Sequence, residues 1–352
     1  MDIHDGTIDR FLAILWDRKG SDLLLTVDSA PRIRVDGKLR PIEGEAVLGG
    51  ADMELLGSEI LSQDQLQRVK ALEEVDFSHG WRQQARLRGN AFIQKDEMAI
   101  ALRIIPADIP DFKQLGLPVA VQETAKLSQG LVLFTGPTGS GKSTSLASLL
   151  AYINATRAVH ILTIEDPIEY VHTHKMAAVS QREVGSDTKS FAAALKSALR
   201  EDPDVILVGE MRDPESIAFA LTLAETGHLV FSTLHTNDTA QALDRIIDVF
   251  PPERQEQIRV QIAGALSAII AQRLIVKPQG GRVAAFEVLI ASPAIRNLIR
   301  EGKTRQIRNV LTTSQGIGMQ TLEMSLTRLM NDKVITRQSA LQTAIVPGEI
   351  GR

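Results

Sequence analysis

The residues with the clearest chemical role form a glycine-rich stretch in the middle of the chain. It reads Gly136-Pro137-Thr138-Gly139-Ser140-Gly141-Lys142-Ser143 and continues into Thr144. Its spacing of glycine, lysine and serine fits the phosphate-binding loop G-x-x-x-x-G-K-[ST]. A short apolar stretch precedes it and a helical pattern follows it, which is the context that this motif requires. We therefore expect these residues to bind the phosphates of a nucleotide.

Each residue type in this loop has a separate chemical purpose. Glycine permits a backbone path closed to other residues, so that successive N–H groups converge on phosphate oxygens at the start of a helix. Lys142 adds a positive charge for the β- and γ-phosphates, and the Ser143 hydroxyl can ligate Mg²⁺. ATP and Mg²⁺ are the expected cofactors. The alternative is a glycine-rich turn that carries Lys-Ser by chance.

Acidic residues follow two further predicted strands. Glu165 and Asp166 come after residues 160–164, and Glu210 comes after residues 205–208. Ligands of parallel sheets bind at the carboxyl ends of strands, so these carboxylates are expected near the phosphate loop. Glu165 can orient or deprotonate the attacking water, whereas Glu210 can act through water on Mg²⁺ or on the nucleophile. A solvated acidic loop is the alternative for Glu165 and Asp166.

Gly209 departs from the usual pattern of phosphate-loop ATPases, most of which carry an Asp there that holds the Mg²⁺ shell. Two histidines, His228 and His235, lie seven residues apart around the predicted strand 229–233. On a straight strand they would be roughly 23 Å apart and on opposite faces, so they cannot share a metal. His235, at the carboxyl end, is placed to sense the γ-phosphate. His228 is expected to meet a neighbouring element or subunit, and a purely structural role is the alternative for both.

The elements that position these residues belong to a doubly wound, mostly parallel sheet. Short apolar strands at 131–135, 160–164, 205–208 and 229–233 alternate with helical stretches, which predicts an α/β fold over residues 118–352. After Pro251-Pro252 the chain is predicted to be largely helical, with one strand pair at 275–276 and 283–289. Prolines at 106, 110 and 118 indicate a linker over residues 106–117.

Residues 1–105 are predicted to form a smaller α+β domain. Apolar periodicity favours helices at 8–16, 53–61 and 65–72 and strands at 22–27, 32–35, 38–41, 86–94 and 98–105. The Asp36-Gly37 dipeptide favours a hairpin turn between two of these strands. Two domains are also what a length of 352 residues suggests.

Composition narrows the class of protein. The net charge is −4, with 39 basic and 43 acidic residues interspersed, which gives no indication of a nucleic-acid partner. The chain has no cysteine, which excludes disulfides and thiolate zinc sites. The N-terminal residues lack the pattern of a signal peptide, and no apolar run is long enough to span a membrane. We expect a cytoplasmic protein.

Four motifs, in this order and spacing, resemble the secretion ATPase superfamily of type II secretion and type IV pilus motors. They are GPTGSGKST, TIEDPIEY, ILVGEMRD and TGHLVFSTLHTND. The segment AIRNLIRE, residues 294–301, is similar to the retraction ATPases of twitching motility. Extension and type II secretion motors usually carry a four-cysteine zinc subdomain and an extra N-terminal domain. This chain has no cysteine and no room for that domain, so we expect a retraction motor.

The resemblance implies a RecA-like ATPase domain, a PAS-like N-terminal domain and a homohexameric ring in which each nucleotide lies between the two kinds of domain. The resemblance implies that Glu165, Glu210 and His235 are catalytic. It also implies that a glycine at position 209 is usual in this family. It also implies an arginine clamp on the N-terminal strands, which Arg88 and Arg103 fit, with Arg86 a weaker match. Arginines with no role beyond the sheet surface are the alternative.

The same resemblance implies Mg-dependent ATP hydrolysis that drives pilus disassembly at the cytoplasmic face of the inner membrane. The expected partner is the membrane platform protein of the pilus machine, with pilin acted on indirectly.

By spacing alone, AIRNLIRE is a surface helix with an apolar stripe of Ile295, Leu298 and Ile299 and with Arg296, Arg300 and Glu301 opposite. The resemblance adds that this helix is needed for retraction rather than for hydrolysis.

Several other functions remain open. The chain could be an extension or secretion motor, or an accessory retraction ATPase that depends on a partner motor. It could also be a nucleotide-binding switch or scaffold that hydrolyses ATP too slowly to do work. A nucleic-acid translocase is a weaker alternative, because no basic stripe with interleaved aromatic residues is present.

Overall fold

Two β-sheets, one in each half of the chain, organise this protein. The computed structural model describes residues 2–3, 7–35, 37–82 and 84–351. The chain divides into two units, Met1–Asp108 and Ile109–Arg352, each built around one seven-stranded sheet. Within the described ranges, no helix is long and apolar enough to cross a lipid bilayer.

The first unit is an α+β structure in which three helices accompany a largely antiparallel sheet. The strand order across the sheet is β1-β5-β6-β7-β2-β3-β4. The elements are β1 (Asp2–Ile3), α1 (Thr7–Asp17), β2 (Asp22–Leu25), β3 (Arg32–Val35), β4 (Lys38–Pro41), α2 (Gly50–Ile60), α3 (Gln63–Lys70), β5 (Val75–Trp81), β6 (Ala85–Gln94) and β7 (Glu97–Pro106).

Most of these elements match the sequence-based prediction, and the exceptions are β1 and β5, which were not predicted. The predicted hairpin strands 32–35 and 38–41 are confirmed, although Asp36 of the predicted turn lies outside the described residues. Strand β5 was not predicted because polar residues and Gly80 interrupt its apolar pattern. Its buried residues Val75, Phe77 and Trp81 nevertheless alternate along the strand and pack into the core of the unit.

The second unit is a doubly wound α/β structure. Its sheet has the order β10-β9-β11-β12-β8-β13-β14, in which β14 alone is antiparallel to its neighbour. The elements are α4 (Phe112–Leu115), α5 (Val119–Glu123), β8 (Gly130–Thr135), α6 (Lys142–Thr156), β9 (His160–Glu165), β10 (Ala178–Glu183), α7 (Phe191–Ala198), β11 (Val205–Val208), α8 (Pro214–Glu225), β12 (Leu229–Leu234), α9 (Thr239–Asp248), α10 (Pro252–Ala265), β13 (Leu266–Val276), β14 (Arg282–Ile290), α11 (Pro293–Arg300), α12 (Ile307–Thr313), α13 (Leu322–Asn331) and α14 (Arg337–Thr343).

The strands at the centre of this sheet are buried on both faces. Every residue of β8, β11 and β12 is buried, because helices cover the two sides of a parallel sheet. The four strands predicted at 131–135, 160–164, 205–208 and 229–233 are confirmed within one residue at each end. Their carboxyl ends therefore meet along one edge of the sheet.

Three parts of this unit differ from the prediction. Strand β10 was not predicted, and β13 begins at Leu266 rather than at residue 275, so the region after Pro251-Pro252 is less helical than expected. Both strands are stabilised by long-range pairing, β10 with β9 and β13 with β8 and β14, which local periodicity does not reveal. The predicted linker 106–117 contains α4, whose N-cap Asp111 accepts a hydrogen bond from the Gln114 N–H at 2.7 Å.

The AIRNLIRE segment forms α11, and its apolar stripe points inward as predicted. Ile295 and Ile299 are fully buried. Arg296, which the spacing placed opposite the stripe, is half-buried. Its guanidinium donates hydrogen bonds to the carbonyls of Ala263, at the end of α10, and of Gly264 at 2.8 Å. The last carbonyls of a helix have no hydrogen-bond donor inside that helix. The Arg296 side chain, on α11, provides the donors for these two carbonyls.

A buried ionic network holds the C-terminal segment to this unit. Oε1 of Glu323, on α13, accepts hydrogen bonds from the N–H groups of Ile345 and Val346 at 2.8 Å each, and Oε2 accepts one from Arg308 at 2.7 Å. Burial raises the pKa of Glu323, but the hydrogen bonds from Arg308 and Val346 outweigh it and hold the pKa below its usual value. The charged carboxylate is therefore the form that stabilises the fold.

We predict that Glu323→Ala lowers the free energy of unfolding by about 3 kcal/mol, because it leaves two buried N–H groups without their acceptor and removes one of the two carboxylates that Arg308 pairs with. The measurement is chemical denaturation at pH 7. Glu301→Ala removes an exposed carboxylate that pairs with Lys303 and is the matched control, with little change expected.

The pH dependence of this difference follows from the sign of the shift. A carboxyl whose pKa is lowered by folding contributes stability above its unfolded pKa and loses it as the pH falls through its folded pKa. The gap between wild type and Glu323→Ala should therefore narrow in acid. A gap that widens in acid, or equal denaturation midpoints at pH 7, would contradict this account.

Candidate nucleotide site

The phosphate loop connects β8 to α6 and follows a backbone path that depends on glycine. Gly136, Gly139 and Gly141 have φ values of 144°, 77° and 87°, which residues with side chains rarely adopt. A Cβ atom at Gly136 would lie 2.3 Å from the carbonyl oxygen of Gln272 on β13. The loop thus rests against the neighbouring strand, and the space around Gly139 is open.

Lys142 lies at the base of the loop and is buried. Its Nζ donates hydrogen bonds to the carbonyl oxygens of Gly136 at 2.7 Å and of Pro137 at 3.1 Å. Burial lowers the pKa of Lys142, and the nearby negative charges of Glu169 and Glu210 oppose that shift. A buried ammonium held by two neutral carbonyls is well placed to move to a phosphate, which neutralises its charge.

Two serine hydroxyls of the loop have chemistry that suits a bound phosphate and its metal. Ser140 is buried, and its Oγ has no hydrogen-bond partner among the described residues. A buried hydroxyl without a partner costs free energy, which a phosphate oxygen would recover. Ser143, in the first turn of α6, lines a cleft next to the loop that Glu165 and Glu169 also line.

Glu165 ends β9 and lies in that cleft together with Ser143, Gly209 and Thr233. Its Oε1 accepts hydrogen bonds from Thr163 Oγ1 at 2.6 Å and from Gln181 Nε2 at 3.2 Å. Burial raises the pKa of this carboxyl, and the two hydrogen bonds oppose the shift. A carboxylate with a raised pKa is a stronger base than an exposed one.

Glu210 and His235 meet at the ends of β11 and β12. The two oxygens of Glu210 have different partners, since Oε1 pairs with Arg212 and Oε2 lies 3.2 Å from His235 Nε2. Because Lys142 experiences the charge of Glu210, this pair belongs to the same site as the phosphate loop. The sequence placed both residues at this edge, and the structure brings them into contact.

Gly209 has a steric explanation in the packing of the strand ends. A Cβ at this position would lie 3.2 Å from the carbonyl oxygen of Ile164 and 3.3 Å from the Cα of Glu165. The Gly209 N–H donates a hydrogen bond to Ile164 at 2.7 Å, and its carbonyl accepts one from Thr233 Oγ1 at 2.6 Å. A side chain at this position would therefore require the end of β9 to shift by a few tenths of an ångström.

The two histidines flank β12 rather than lying on it. His228 precedes the strand, and its Nδ1 lies 3.0 Å from the carbonyl oxygen of Leu223 in α8, which confirms that it meets a neighbouring element. His235 follows the strand. The next residue, Thr236, is tied to the end of β8 because Thr135 Oγ1 donates to its carbonyl at 2.7 Å and accepts from its N–H at 3.0 Å.

Arg88 and Arg103 belong to the first unit, where they form part of one row on one face of the sheet. The pairing register places Arg88 opposite Arg103, Arg103 opposite Asp22, and Asp22 opposite Arg34. Arg103 Nε donates to Asp22 Oδ1 at 2.8 Å, and Arg34 pairs with the other oxygen at 3.4 Å. Arg86 donates to Ser78 Oγ at 2.8 Å. A clamp role for Arg88 and Arg103 stays a prediction.

Sequence reasoning did not identify the residues that support Glu165. Thr163 and Gln181 donate to its carboxylate, and Tyr170 OH lies 3.0 Å from Thr144 Oγ1 in the first turn of α6. The position of Thr163 two residues before Glu165 puts both on one face of a strand, which the sequence could have indicated. No sequence pattern indicated Gln181, because its strand, β10, was not predicted.

Comparison with known proteins identifies relatives over nearly the whole chain. The model of the type II/IV secretion system protein family matches residues 82–336. The type IV pilus retraction ATPase PilT of Pseudomonas aeruginosa is 47% identical over 340 residues, which cover 97% of this chain and 98% of that protein. A twitching motility protein of Neisseria gonorrhoeae is 48% identical over 315 residues, or 89% of this chain and 84% of that protein.

A solved structure agrees with these sequence relatives. The crystal structure of the pilus retraction motor PilT with bound ADP superimposes with a TM-score of 0.90 at 46% identity and covers 98% of this chain and 99% of that chain. The predicted fold class, an α/β ATPase domain with a smaller N-terminal α+β domain, is confirmed by this match, as is the resemblance that the four motifs indicated. The chain belongs to the type II/IV secretion system protein family.

Proposed function

We propose that this protein is a Mg²⁺-dependent ATPase whose homohexamer drives retraction of type IV pili. The observation that carries the ATPase proposal is the convergence of the phosphate loop, Glu165 and Glu210 at one edge of the second sheet. The retraction proposal is supported by the similarity to PilT and to a twitching motility protein over most of the chain.

Binding of ATP would use residues that are already arranged for anionic oxygens. The N–H groups of the glycine-rich loop and the N-terminus of α6 would contact the phosphates from Gly136 to Thr144. Lys142 would leave the carbonyls of Gly136 and Pro137 for the β- and γ-phosphates, and Ser140 would gain the hydrogen-bond partner that it lacks.

Oxygen groups in this site fit Mg²⁺. Ser143 lines the cleft and Glu210 follows β11 at the same edge of the sheet, and their hydroxyl and carboxylate oxygens are ligands of the kind Mg²⁺ prefers. Within the described ranges, no group of three or more acidic, histidine or cysteine side chains could hold a metal alone. The ion would therefore share its ligands with the phosphates, and when bound it neutralises charge on the β- and γ-phosphoryl oxygens.

Hydrolysis would follow from the two carboxylates and the histidine. Glu165 is proposed to accept a proton from the water whose oxygen attacks the γ-phosphorus as the bond to the bridging oxygen of ADP breaks. Glu210 would orient that water or the metal shell. His235, in contact with Glu210, would respond to the presence of the γ-phosphate. The response would reach β8 through the next residue, Thr236, which is hydrogen-bonded to Thr135.

The remaining proposals concern assembly and mechanical work. Residues 1–105, linked through residues 106–117 to the ATPase domain 118–352, would carry Arg88 and Arg103 as a clamp for γ-phosphate charge when domains close within the ring. The helix α11 would be needed for retraction rather than hydrolysis. The ring would act on the platform protein of the pilus machine at the cytoplasmic face of the inner membrane, with pilin affected indirectly.

We predict that Lys142→Ala lowers steady-state ATP turnover by on the order of 100-fold, because a preorganised charge on the γ-phosphate is lost. Phosphate release by the purified ring is the measurement. Lys126→Ala, which removes an exposed lysine paired with Glu123, is the matched control and should behave as wild type.

Removal of the metal with EDTA should abolish ATP turnover, and excess Mg²⁺ should restore it. Wild-type turnover in Lys142→Ala, or in EDTA, would refute the assignment.

In cells, deletion of the gene should leave surplus surface pili and abolish twitching, because pili are still extended but are no longer removed. Electron microscopy of surface pili and a twitching assay measure the two effects. Complementation with Lys126→Ala should restore twitching, and complementation with Lys142→Ala should not. Absent pili would contradict the retraction proposal in favour of an extension motor. Restoration of twitching by Lys142→Ala would favour an accessory or scaffold role.

A further inference from the structure

One side chain of the edge strand β10 connects three parts of the acidic motif. Gln181 Nε2 donates hydrogen bonds to Glu165 Oε1 at 3.2 Å and to the carbonyl oxygen of Tyr170 at 2.9 Å. Its Oε1 accepts a hydrogen bond from the backbone N–H of His172 at 2.7 Å. A single amide thus binds the end of β9 and the loop that follows it.

The orientation of this amide is fixed by its partners. The His172 N–H can only donate, so it must face the Gln181 oxygen, and the Tyr170 carbonyl can only accept, so it must face the nitrogen. The second N–H of the same nitrogen then points at Glu165. The side chain is therefore a donor to the carboxylate in the only amide orientation that satisfies the backbone.

The carboxylate of Glu165 is correspondingly restrained. Thr163 Oγ1 and Gln181 Nε2 both donate to Oε1, and the backbone N–H of Glu169 is a further donor to the group. Thr163 and Gln181 are opposite each other in the β9–β10 register, so the two donors approach from adjacent strands. Rotation of the carboxylate would break hydrogen bonds in a half-buried site, which makes rotation costly.

We propose that Gln181 is a positioning residue for ATP hydrolysis, which holds the Glu165 carboxylate and the loop 166–172 in one arrangement relative to the phosphate loop. This inference rests on the proposed role of Glu165 as the base. In this proposal Gln181 acts through Glu165 and not directly on the nucleotide. Its effect is to preorganise the base so that no rotation of the side chain precedes proton transfer.

A pH dependence follows from this geometry. The Gln181 hydrogen bond stabilises the charged form of Glu165, so its loss should raise the pKa of Glu165, which burial already raises. Among the described residues, three other titratable groups line the cleft, namely Glu169, Tyr170 and His172. Burial raises the pKa of Tyr170, so this phenol stays neutral through the assay range. The charge of Glu169 also raises the pKa of Glu165, whereas His172, whose pKa burial lowers to about 4, stays neutral through the assay range. A base must be deprotonated, so the acid limb of the kcat profile should move to higher pH.

The test is steady-state ATP turnover of Gln181→Met from pH 5 to pH 9. We expect kcat at neutral pH to fall about tenfold, as for one lost hydrogen bond to a charged group, with KM for ATP unchanged. The acid limb should rise by about one pH unit. Unchanged kcat with an unchanged acid limb would overturn the proposal, and so would a raised KM with wild-type kcat.

Ser180→Ala is the matched control on the same strand. Its hydroxyl lies 3.0 Å from His160 Nε2 on the other face of β10, so this variant loses a hydrogen bond of the strand without touching Glu165. It should keep the wild-type pH profile. A shift of the acid limb equal to that of Gln181→Met would assign the effect to β10 as a whole and overturn the role of Gln181.

Two further variants keep the test decisive. Gln181→Glu preserves size and an oxygen for the His172 N–H but replaces the donor with a carboxylate, so the acid limb should move in the same direction by more. An unmoved acid limb would overturn the proposal even if Gln181→Met does not fold.

Glu165→Gln distinguishes failure of the role inferred for Gln181 from failure of the role proposed for Glu165. If it is inactive while Gln181→Met is normal, the inference alone fails. If it retains wild-type turnover, the proposed base fails and the inference fails with it.

Discussion

The parallel arrangement of β8, β9, β11 and β12 is the constraint on which the rest of this protein depends. Parallel strands deliver their carboxyl ends to one edge of the sheet, so the residues that follow four separate strands meet there. The phosphate loop follows β8, Glu165 ends β9, Glu210 follows β11 and His235 follows β12. The site is thus a product of topology, and helices that cover both faces of the sheet keep the strand ends in register.

The charges at this edge are held in place before any nucleotide is bound. Lys142 is buried on two carbonyls, Glu165 is restrained by donors from β9 and β10, and Glu210 is paired with His235 and Arg212. Charged groups with fixed partners need little reorganisation when a reacting phosphate arrives, which is the main requirement of phosphoryl transfer. The residues that hold these charges therefore contribute to the arrangement on which the proposed chemistry depends.

Local sequence patterns placed the proposed site residues at one edge of the sheet, but they did not indicate the residues that hold Glu165. The phosphate loop has a fixed spacing, and the carboxylates and histidine follow short apolar runs, so local patterns were sufficient to find them. Gln181 and the true start of β13 depend on pairing with distant strands, which no local pattern encodes. Arg296 shows the same limit, because helical spacing indicated the apolar stripe of α11 but not the acceptors of Arg296, which the end of α10 provides from about thirty residues earlier.

The most direct test of the central claim is a crystal structure with Mg²⁺ and a non-hydrolysable ATP analogue. The account predicts that Lys142 Nζ leaves the carbonyls of Gly136 and Pro137 and lies about 2.7–3.2 Å from a γ-phosphate oxygen. It also predicts that Glu165 keeps its hydrogen bond from Gln181 and contacts the γ-phosphate through one bridging water molecule. A structure in which Lys142 keeps both carbonyls, or in which more than one water separates Glu165 from the γ-phosphate, would contradict it.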